Sequence, residues 1–119
     1  MADHNELGKL GEELATQFLI KKDYKILDRN FTYQKAEIDI IAQFNNEIII
    51  VEVKTRNSNF FGNPQDFVTP AKIKLLTKAA NEYIVSNNIS LAARFDIIAV
   101  LKNSKEEKIE HFENAFYFF

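Results

Sequence analysis

Apolar residues recur at helical spacing near the start of the chain. Within residues 5–22, Leu7, Leu10, Leu14 and Phe18 fall on one face. This spacing predicts an amphipathic helix.

Two glycines, Gly8 and Gly11, lie in the first turns of this predicted helix. Glycine is a poor helix former. The pair indicates either close approach of another backbone or a ligand, or a loosely wound helix start, and the sequence leaves both open.

Three apolar runs with the short length of strands follow the helix. The first spans about residues 24–31, and two runs rich in Ile and Val span 36–44 and 47–54. Asn45 and Asn46 separate the last two runs. Because Asn tolerates positive φ, this pair predicts a tight hairpin turn.

The second half of the chain predicts a helix and two more strands. Residues 55–68 are predicted to be a loop, and Thr69 and Pro70 supply an N-cap and a first-turn proline for a helix that ends near Ser86. Its inward positions are predicted to be Ile73, Leu76, Ala80, Tyr83 and Ile84. Residues 93–101 form a further apolar strand, and residues 109–119 a final one.

The order of elements predicts an α/β fold. The second helix can act as a crossover that brings residues 93–101 beside and parallel to 47–54. Because the hairpin strands are apolar on both faces, they need cover on both sides. We therefore predict a single domain over residues 1–119, built as a mixed β-sheet flanked by α-helices.

The hairpin strands also carry a charge pattern. If Asn45 and Asn46 are the central turn residues, the register places Asp39 opposite Glu52 and Glu37 opposite Lys54, all on one face. The opposite face is then predicted to carry Ile38, Ile40, Val51 and Val53.

Two facing carboxylates are costly unless a cation joins them. At about 5 Å and an effective dielectric near 20, the repulsion between Asp39 and Glu52 is roughly 3 kcal/mol before screening. A bound Mg²⁺ would reverse that sign, and Lys54 could neutralise charge beside it. The alternative is structural: Glu37 and Lys54 form a plain ion pair, and the two acids face solvent. The residues alone leave both interpretations open.

Composition limits the function classes. The chain has 119 residues, no cysteine and a formal net charge of −2, which weighs against a basic nucleic-acid coat protein. The polar, acidic N-terminus is unlike a signal peptide, and no apolar run reaches the length of a membrane span. We expect a cytoplasmic protein with no membrane partner.

A family resemblance adds to this picture. The spacing of Asp39, Glu52 and Lys54 matches the D…(D/E)xK signature of the PD-(D/E)xK nucleases. The longer segments LGKLGEELATQFLIKKDYKILDRNF, AEIDIIA, IIIVEVKTR, FFGNP and RFDIIAV resemble the YraN family of uncharacterised bacterial proteins, which is distantly similar to archaeal Holliday junction resolvases. The resemblance covers nearly the whole chain and implies a restriction-endonuclease-like three-layer fold.

The resemblance also implies a site. Asp39 and Glu52 would bind Mg²⁺ or Mn²⁺, Lys54 would be the catalytic lysine, and the carbonyl of Val53 would be a further metal ligand. An acidic residue on the first helix completes the site in the resolvases, and Glu12 is the matching residue here.

Several assignments are less specific. Glu13 is the neighbour with which Glu12 could be confused, and Glu37 is an accessory candidate from the family's EID pattern. Arg56 and Lys72 flank the predicted loop and are candidates for contacting nucleic-acid phosphate. For Lys74 and Lys78 the sequence favours a solvated helix face over phosphate contact, and for Phe60 and Phe61 it favours packing over a helix rather than stacking on bases. His4 and His111 are isolated, and no role is predicted for them.

The first functional hypothesis is a Mg²⁺- or Mn²⁺-dependent endonuclease acting on DNA, including branched or structured DNA. The alternative is a non-catalytic module that keeps the fold and binds nucleic acid or a DNA-processing partner. A third hypothesis, an interaction subunit, rests on the aromatic run at residues 116–119. Symmetric cutting of a junction would need a homodimer.

Overall fold

A computed structural model describes residues 4–58 and 68–116. These residues form α1 (His4–Lys21), β1 (Lys25–Tyr33), β2 (Ala36–Phe44), β3 (Glu47–Arg56), α2 (Pro70–Ser86), β4 (Ala92–Lys102) and β5 (Glu107–Phe112). The predicted order of elements is confirmed. The interpretation of Phe60 and Phe61, and most of the aromatic run at the C-terminus, lie outside the described residues.

The five strands form one sheet in the order β1-β2-β3-β4-β5. β3 and β4 are parallel, and the other neighbouring pairs are antiparallel. α1 and α2 cover opposite faces, so two apolar clusters lie on the two sides of the sheet. The predicted α/β fold, a mixed sheet flanked by helices, is confirmed, and it is compatible with a three-layer nuclease-like fold.

α2 begins where the sequence predicts. The Thr69 hydroxyl accepts a hydrogen bond from the Lys72 amide at 3.2 Å, and Pro70 occupies the first turn. Leu76, Ala80 and Tyr83 are buried against the sheet, as predicted, and the helix ends at Ser86 with Asn87 as its C-cap. The crossover therefore places Lys72 in the first turn of α2.

The ends of two strands differ from the prediction. β3 continues to Arg56, so the predicted loop begins later. β5 ends at Phe112, because Asn114 takes a φ of 53° and the Ala115 amide donates to the Phe95 carbonyl at 2.7 Å. The chain leaves the edge of the sheet at this point.

The hairpin turn forms as predicted. Asn45 and Asn46 have φ values of 48° and 64°. Phe44 faces Glu47, and the register continues to the pair formed by Ile40 and Val51.

The predicted pairs beyond Ile40 and Val51 are not part of the ladder between β2 and β3. Neither Asp39 with Glu52 nor Glu37 with Lys54 is a ladder pair. The two strands stop pairing at the charged residues.

The alternation of β2 changes at Asp39. Ile38 packs in the same cluster as Ile41, on the α2 side, whereas Ile40 packs on the α1 side. The prediction that Ile38 and Ile40 share a face was wrong. β1 is irregular at the same point, because Asn30 has a φ of 54° and neither Asn30 nor Asp39 is paired in the ladder between β1 and β2.

Gly11 allows α1 to lie close to the sheet. It is buried, and a Cβ there would overlap the side chain of Thr55 in β3. This confirms close approach for Gly11, whereas a Cβ at Gly8 would have no neighbour within 4 Å. Gly11 lies on the face of α1 that packs against the sheet. Leu10 was predicted to lie on this inward face but is 40% exposed.

A buried polar cluster ties β4 to the C-terminal end of β5. Asp96 is fully buried. Its carboxylate accepts hydrogen bonds from the Arg94 guanidinium at 3.0 and 2.8 Å and from the backbone N–H of Asn114 at 2.9 Å. His111, given no role from the sequence, places Nε2 at 2.7 Å from Asp96. Burial alone would raise the pKa of Asp96, but these partners outweigh it and hold the pKa below its usual range. The cluster is satisfied internally and is structural.

Within residues 4–58 and 68–116, no helix is both long and apolar enough to cross a bilayer.

Candidate metal-binding cleft

Three carboxylates gather where β2 changes its alternation. One side-chain oxygen from each of Glu12, Glu37 and Asp39 lies within 4.8 Å of the others. Glu12 comes from α1, and the other two come from β2. We call these three residues the acidic cluster.

Asp39 is half-buried, like Glu12, whereas Glu37 is exposed. The Oδ2 of Asp39 accepts a hydrogen bond from the Val53 amide at 2.8 Å, so the side chain bridges β2 and β3 where their ladder has ended. Burial, followed by the negative charge of Glu52, raises the pKa of Asp39 to about 8, and Glu12 adds to the shift. A cation in contact with these oxygens would oppose each of those effects.

Glu52 lies beside Asp39 and is almost completely buried, with 3% of its surface exposed. Its Oε2 forms an ion pair with the Lys72 ammonium of α2. Among the described residues, its Oε1 has no hydrogen-bond partner. A buried acceptor without a partner is costly, typically by about 1–3 kcal/mol and more for a charged group. Because this oxygen has almost no exposed surface, a cation could contact it only after a neighbouring side chain moves.

Glu12 and its neighbour Glu13 have different partners. Glu12 accepts a hydrogen bond from the Asn30 side-chain amide at 2.8 Å, which orients it in the acidic cluster. Glu13 instead pairs with Arg29 at 2.8 Å, and the hydrogen bond from Arg29 lowers the pKa of Glu13. The structure thus places Glu12, and not Glu13, in the cluster.

A cleft of about 250 Å³ connects these acids to basic residues. Its lining includes Asp39, Glu52, Lys54, Arg56 and Lys72. We call it the acidic cleft. Arg56 is exposed, and within the described part of the chain the Lys54 ammonium has no ion pair. The cleft thus offers carboxylate oxygens at its base and cationic groups around them.

Lys72 carries its charge in this cleft. Burial alone would lower its pKa, but the hydrogen bond and charge of Glu52, with smaller contributions from Asp39 and Glu37, raise it. Lys72 was predicted to contact phosphate, and the structure places its ammonium on Glu52.

A second groove, of about 390 Å³, adjoins the cleft. Its lining includes Lys35, Glu37, Asp39 and Lys72, so Asp39 and Lys72 border both depressions. A ligand larger than one phosphate could therefore lie across both.

Most of the predicted site residues line one cleft, but by contacts that differ from the predicted ones, and Glu52 is not a member of the acidic cluster. The prediction that Glu37 faces Lys54 was wrong, because Glu37 joins Glu12 and Asp39 instead. Val53 lines the cleft and contributes its amide to Asp39, while a ligand role for its carbonyl stays a prediction.

Two features were missed from the sequence. The first is Asn30, which turns the strand and orients Glu12. Its signal was an Asn, tolerant of positive φ, inside a strand. The second is the ion pair of Lys72 with Glu52. The Thr69 N-cap predicts where α2 begins, but it does not predict which side chain Lys72 contacts.

The residues present fit a hard divalent cation. All side-chain donors are carboxylate oxygens, which Mg²⁺ and Mn²⁺ prefer. Glu52, Asp39 and Glu12 line the same cleft, and the Oε1 of Glu52 is itself buried without a hydrogen-bond partner among the described residues. A cation there would satisfy an oxygen that the described residues leave unpaired.

Fold and site together define an α/β protein with a carboxylate-rich cleft bordered by lysines at the point where two strands separate. Residues 11–100 match the profile of the uncharacterised protein family UPF0102, and the chain belongs to this family. This match confirms the resemblance to the YraN family.

Relatives agree along the full chain. A UPF0102 protein of Flavobacterium psychrophilum is 66% identical over 119 residues, covering 100% of both chains. One from Christiangramia forsetii is 55% identical, again over 100% of both chains. One from Syntrophomonas wolfei is 46% identical over 95% of this chain and 99% of its own.

Proposed function

We propose that this protein is a Mg²⁺- or Mn²⁺-dependent endonuclease that hydrolyses phosphodiester bonds in DNA. The observation that carries the proposal is that the buried Glu52 lies next to Asp39, whose pKa burial and Glu52 raise to about 8, in a cleft that Glu12 also lines. Two adjacent acids of which one is buried are stable only when one of them keeps its proton or a cation lies between them, and neither state strengthens the fold as apolar packing would.

The proposed metal ligands are Asp39, Glu52 and Glu12, with Glu37 as an accessory ligand and the Val53 carbonyl as a further one. When bound, the cation would activate water and stabilise negative charge on the phosphate.

The basic residues around the cleft have separate proposed roles. Lys54 is the catalytic lysine, because its ammonium lines the cleft and has no ion pair among the described residues. It can orient the attacking water or neutralise charge that develops on the phosphate. Arg56, exposed at the same cleft, would bind a neighbouring phosphate of the nucleic-acid backbone.

A second candidate is a DNA-binding module without catalysis. The net charge of −2 favours it, because a chain with an excess of acidic residues gains little from phosphate contacts unless a cation screens its acids. In this case the acidic cleft would hold a cation that bridges protein and phosphate without cleavage.

One experiment separates the two candidates. Purified protein is incubated with duplex, flap and four-way-junction DNA in Mg²⁺, Mn²⁺ or EDTA, and cleavage and binding are measured in parallel. We expect metal-dependent cleavage that falls about 10²–10³-fold in Asp39→Asn and in Lys54→Met. Glu13→Gln is the matched control and should cleave like the wild type.

Metal-dependent binding without cleavage by the wild-type protein would favour the second candidate. Equal cleavage by wild type and Asp39→Asn would show that the activity does not come from this cleft.

A further inference from the structure

Lys72 and Glu52 form an ion pair with an uneven environment. The Glu52 side chain is 3% exposed, whereas that of Lys72 is 41% exposed. The acid is fixed in β3, and the lysine reaches it from the first turn of α2 on a flexible side chain. One partner can therefore move out of the pair while the other cannot.

The same carboxylate is a proposed ligand of the divalent cation. A cation at Glu52 and an ammonium on its Oε2 carry like charges only a few ångströms apart. At this range the repulsion is strong even at the effective dielectric of a partly exposed site. Metal and Lys72 should therefore compete for Glu52.

We propose that Lys72 is a placeholder cation, which neutralises Glu52 in the metal-free protein and is displaced when the metal binds. This inference rests on the proposed function, since it needs the metal site. It explains how a buried carboxylate is tolerated before the metal arrives, because a buried charge is stable only when paired.

The surroundings give the displaced ammonium a place to go. Lys72 borders both the acidic cleft and the adjoining groove of about 390 Å³. Its partly exposed side chain can turn toward that groove, where a DNA phosphate would be a new partner. Binding of metal would thus release a phosphate-binding group at the same site.

The test compares Mn²⁺ binding by three variants, using calorimetry and the Mn²⁺-induced shift in Tm. Lys72→Met removes the charge, and Lys72→Gln removes it while keeping a hydrogen-bond donor for Glu52. Lys74→Met is the matched control, because two residues along a helix point to nearly opposite sides and Lys74 is exposed.

We expect Lys72→Met and Lys72→Gln to bind Mn²⁺ about tenfold more tightly than wild type and to show a larger Mn²⁺-induced rise in Tm. Lys74→Met should match the wild type. Circular dichroism checks that each variant is folded, and Lys72→Gln carries the test if Lys72→Met is not.

Unchanged or weaker Mn²⁺ binding in the folded Lys72 variants, with clear binding by wild type, would overturn the placeholder role and leave the proposed function intact. No Mn²⁺ binding by wild-type protein would overturn both. The two failures are thus distinguishable.

Discussion

Asp39 holds a carboxylate in surroundings that disfavour its charge. Burial and the neighbouring Glu52 raise its pKa to about 8, although the Val53 amide donates to it at 2.8 Å. One backbone hydrogen bond is therefore not enough to offset the loss of water. Such perturbed groups in clefts are common at functional sites. At the scale of single residues, the site is defined by an acid, Asp39, whose charged form is unfavourable in the metal-free protein.

The unfavourable charge of Asp39 predicts a pH dependence. The pKa of an unfolded Asp is about 3.9, so raising it in the folded state favours folding fully below that value and progressively less as the pH rises to about 8. Without metal, the free energy of unfolding of wild type should therefore fall relative to Asp39→Asn between pH 4 and 8, by roughly 3–5 kcal/mol. Urea denaturation in EDTA measures the difference, and a constant or rising difference would contradict the prediction.

Glu12 and Glu13 provide a comparison of adjacent acids. Glu12→Gln removes a charge from the acidic cluster, whereas Glu13→Gln removes only an exposed partner of Arg29. We expect Glu12→Gln to weaken Mn²⁺ binding about tenfold or more, since each carboxylate contributes to holding the cation. Glu13→Gln should stay within twofold of wild type in the same calorimetric titration. A larger loss of Mn²⁺ affinity in Glu13→Gln than in Glu12→Gln would mean that Glu13 is the acid that α1 contributes to the site.

Elements position these charges by close packing and by a break in strand regularity. Gly11 brings α1 against Thr55, and the next residue, Glu12, reaches the acidic cluster. Asn30 interrupts the pairing of β1 and orients Glu12 through its amide. α1 and the irregular part of β1 thus both fix the position of the Glu12 carboxylate.

The two glycines of α1 give a matched test at this scale. Gly11→Ala places a Cβ against Thr55, so α1 must shift, at a cost of roughly 1–3 kcal/mol in the free energy of unfolding. Mn²⁺ affinity should fall as well, because Glu12 moves with the helix. Gly8→Ala meets nothing within 4 Å and should stabilise the helix by up to about 1 kcal/mol. Thermal or urea denaturation and Mn²⁺ titration of both variants measure these effects. Equal changes in stability and Mn²⁺ affinity for Gly11→Ala and Gly8→Ala would contradict the packing argument.

The sequence predicted elements and register better than it predicted contacts. The hairpin register was correct as far as Ile40, because the turn residues fix it and alternation does the rest. Beyond that pair, both β1 and β2 become irregular, at Asn30 and Asp39, and a register argument that includes only β2 and β3 does not predict this. The pairing of Lys72 with Glu52 joins a helix to a strand across the fold, and no periodicity encodes it.

On the scale of the whole molecule, the site lies where the three layers meet. α1 delivers Glu12 from one side of the sheet, α2 delivers Lys72 from the other, and the separating ends of β2 and β3 supply Asp39 and Glu52 between them. The parallel pairing of β3 with β4 requires the crossover that brings α2 into place. The mixed topology of the sheet is therefore what brings Lys72 of α2 to the cleft.

The most direct test of the metal site is a crystal structure of the wild-type protein soaked with Mn²⁺, with an anomalous difference map. We predict a peak in the acidic cleft, bound by Asp39 and Glu52 at about 2.1 Å. Glu12 should lie in the same coordination sphere, directly or through water, and the Lys72 ammonium should have left Glu52. A well-soaked crystal with no peak in this cleft, or with Mn²⁺ bound only elsewhere, would contradict the account.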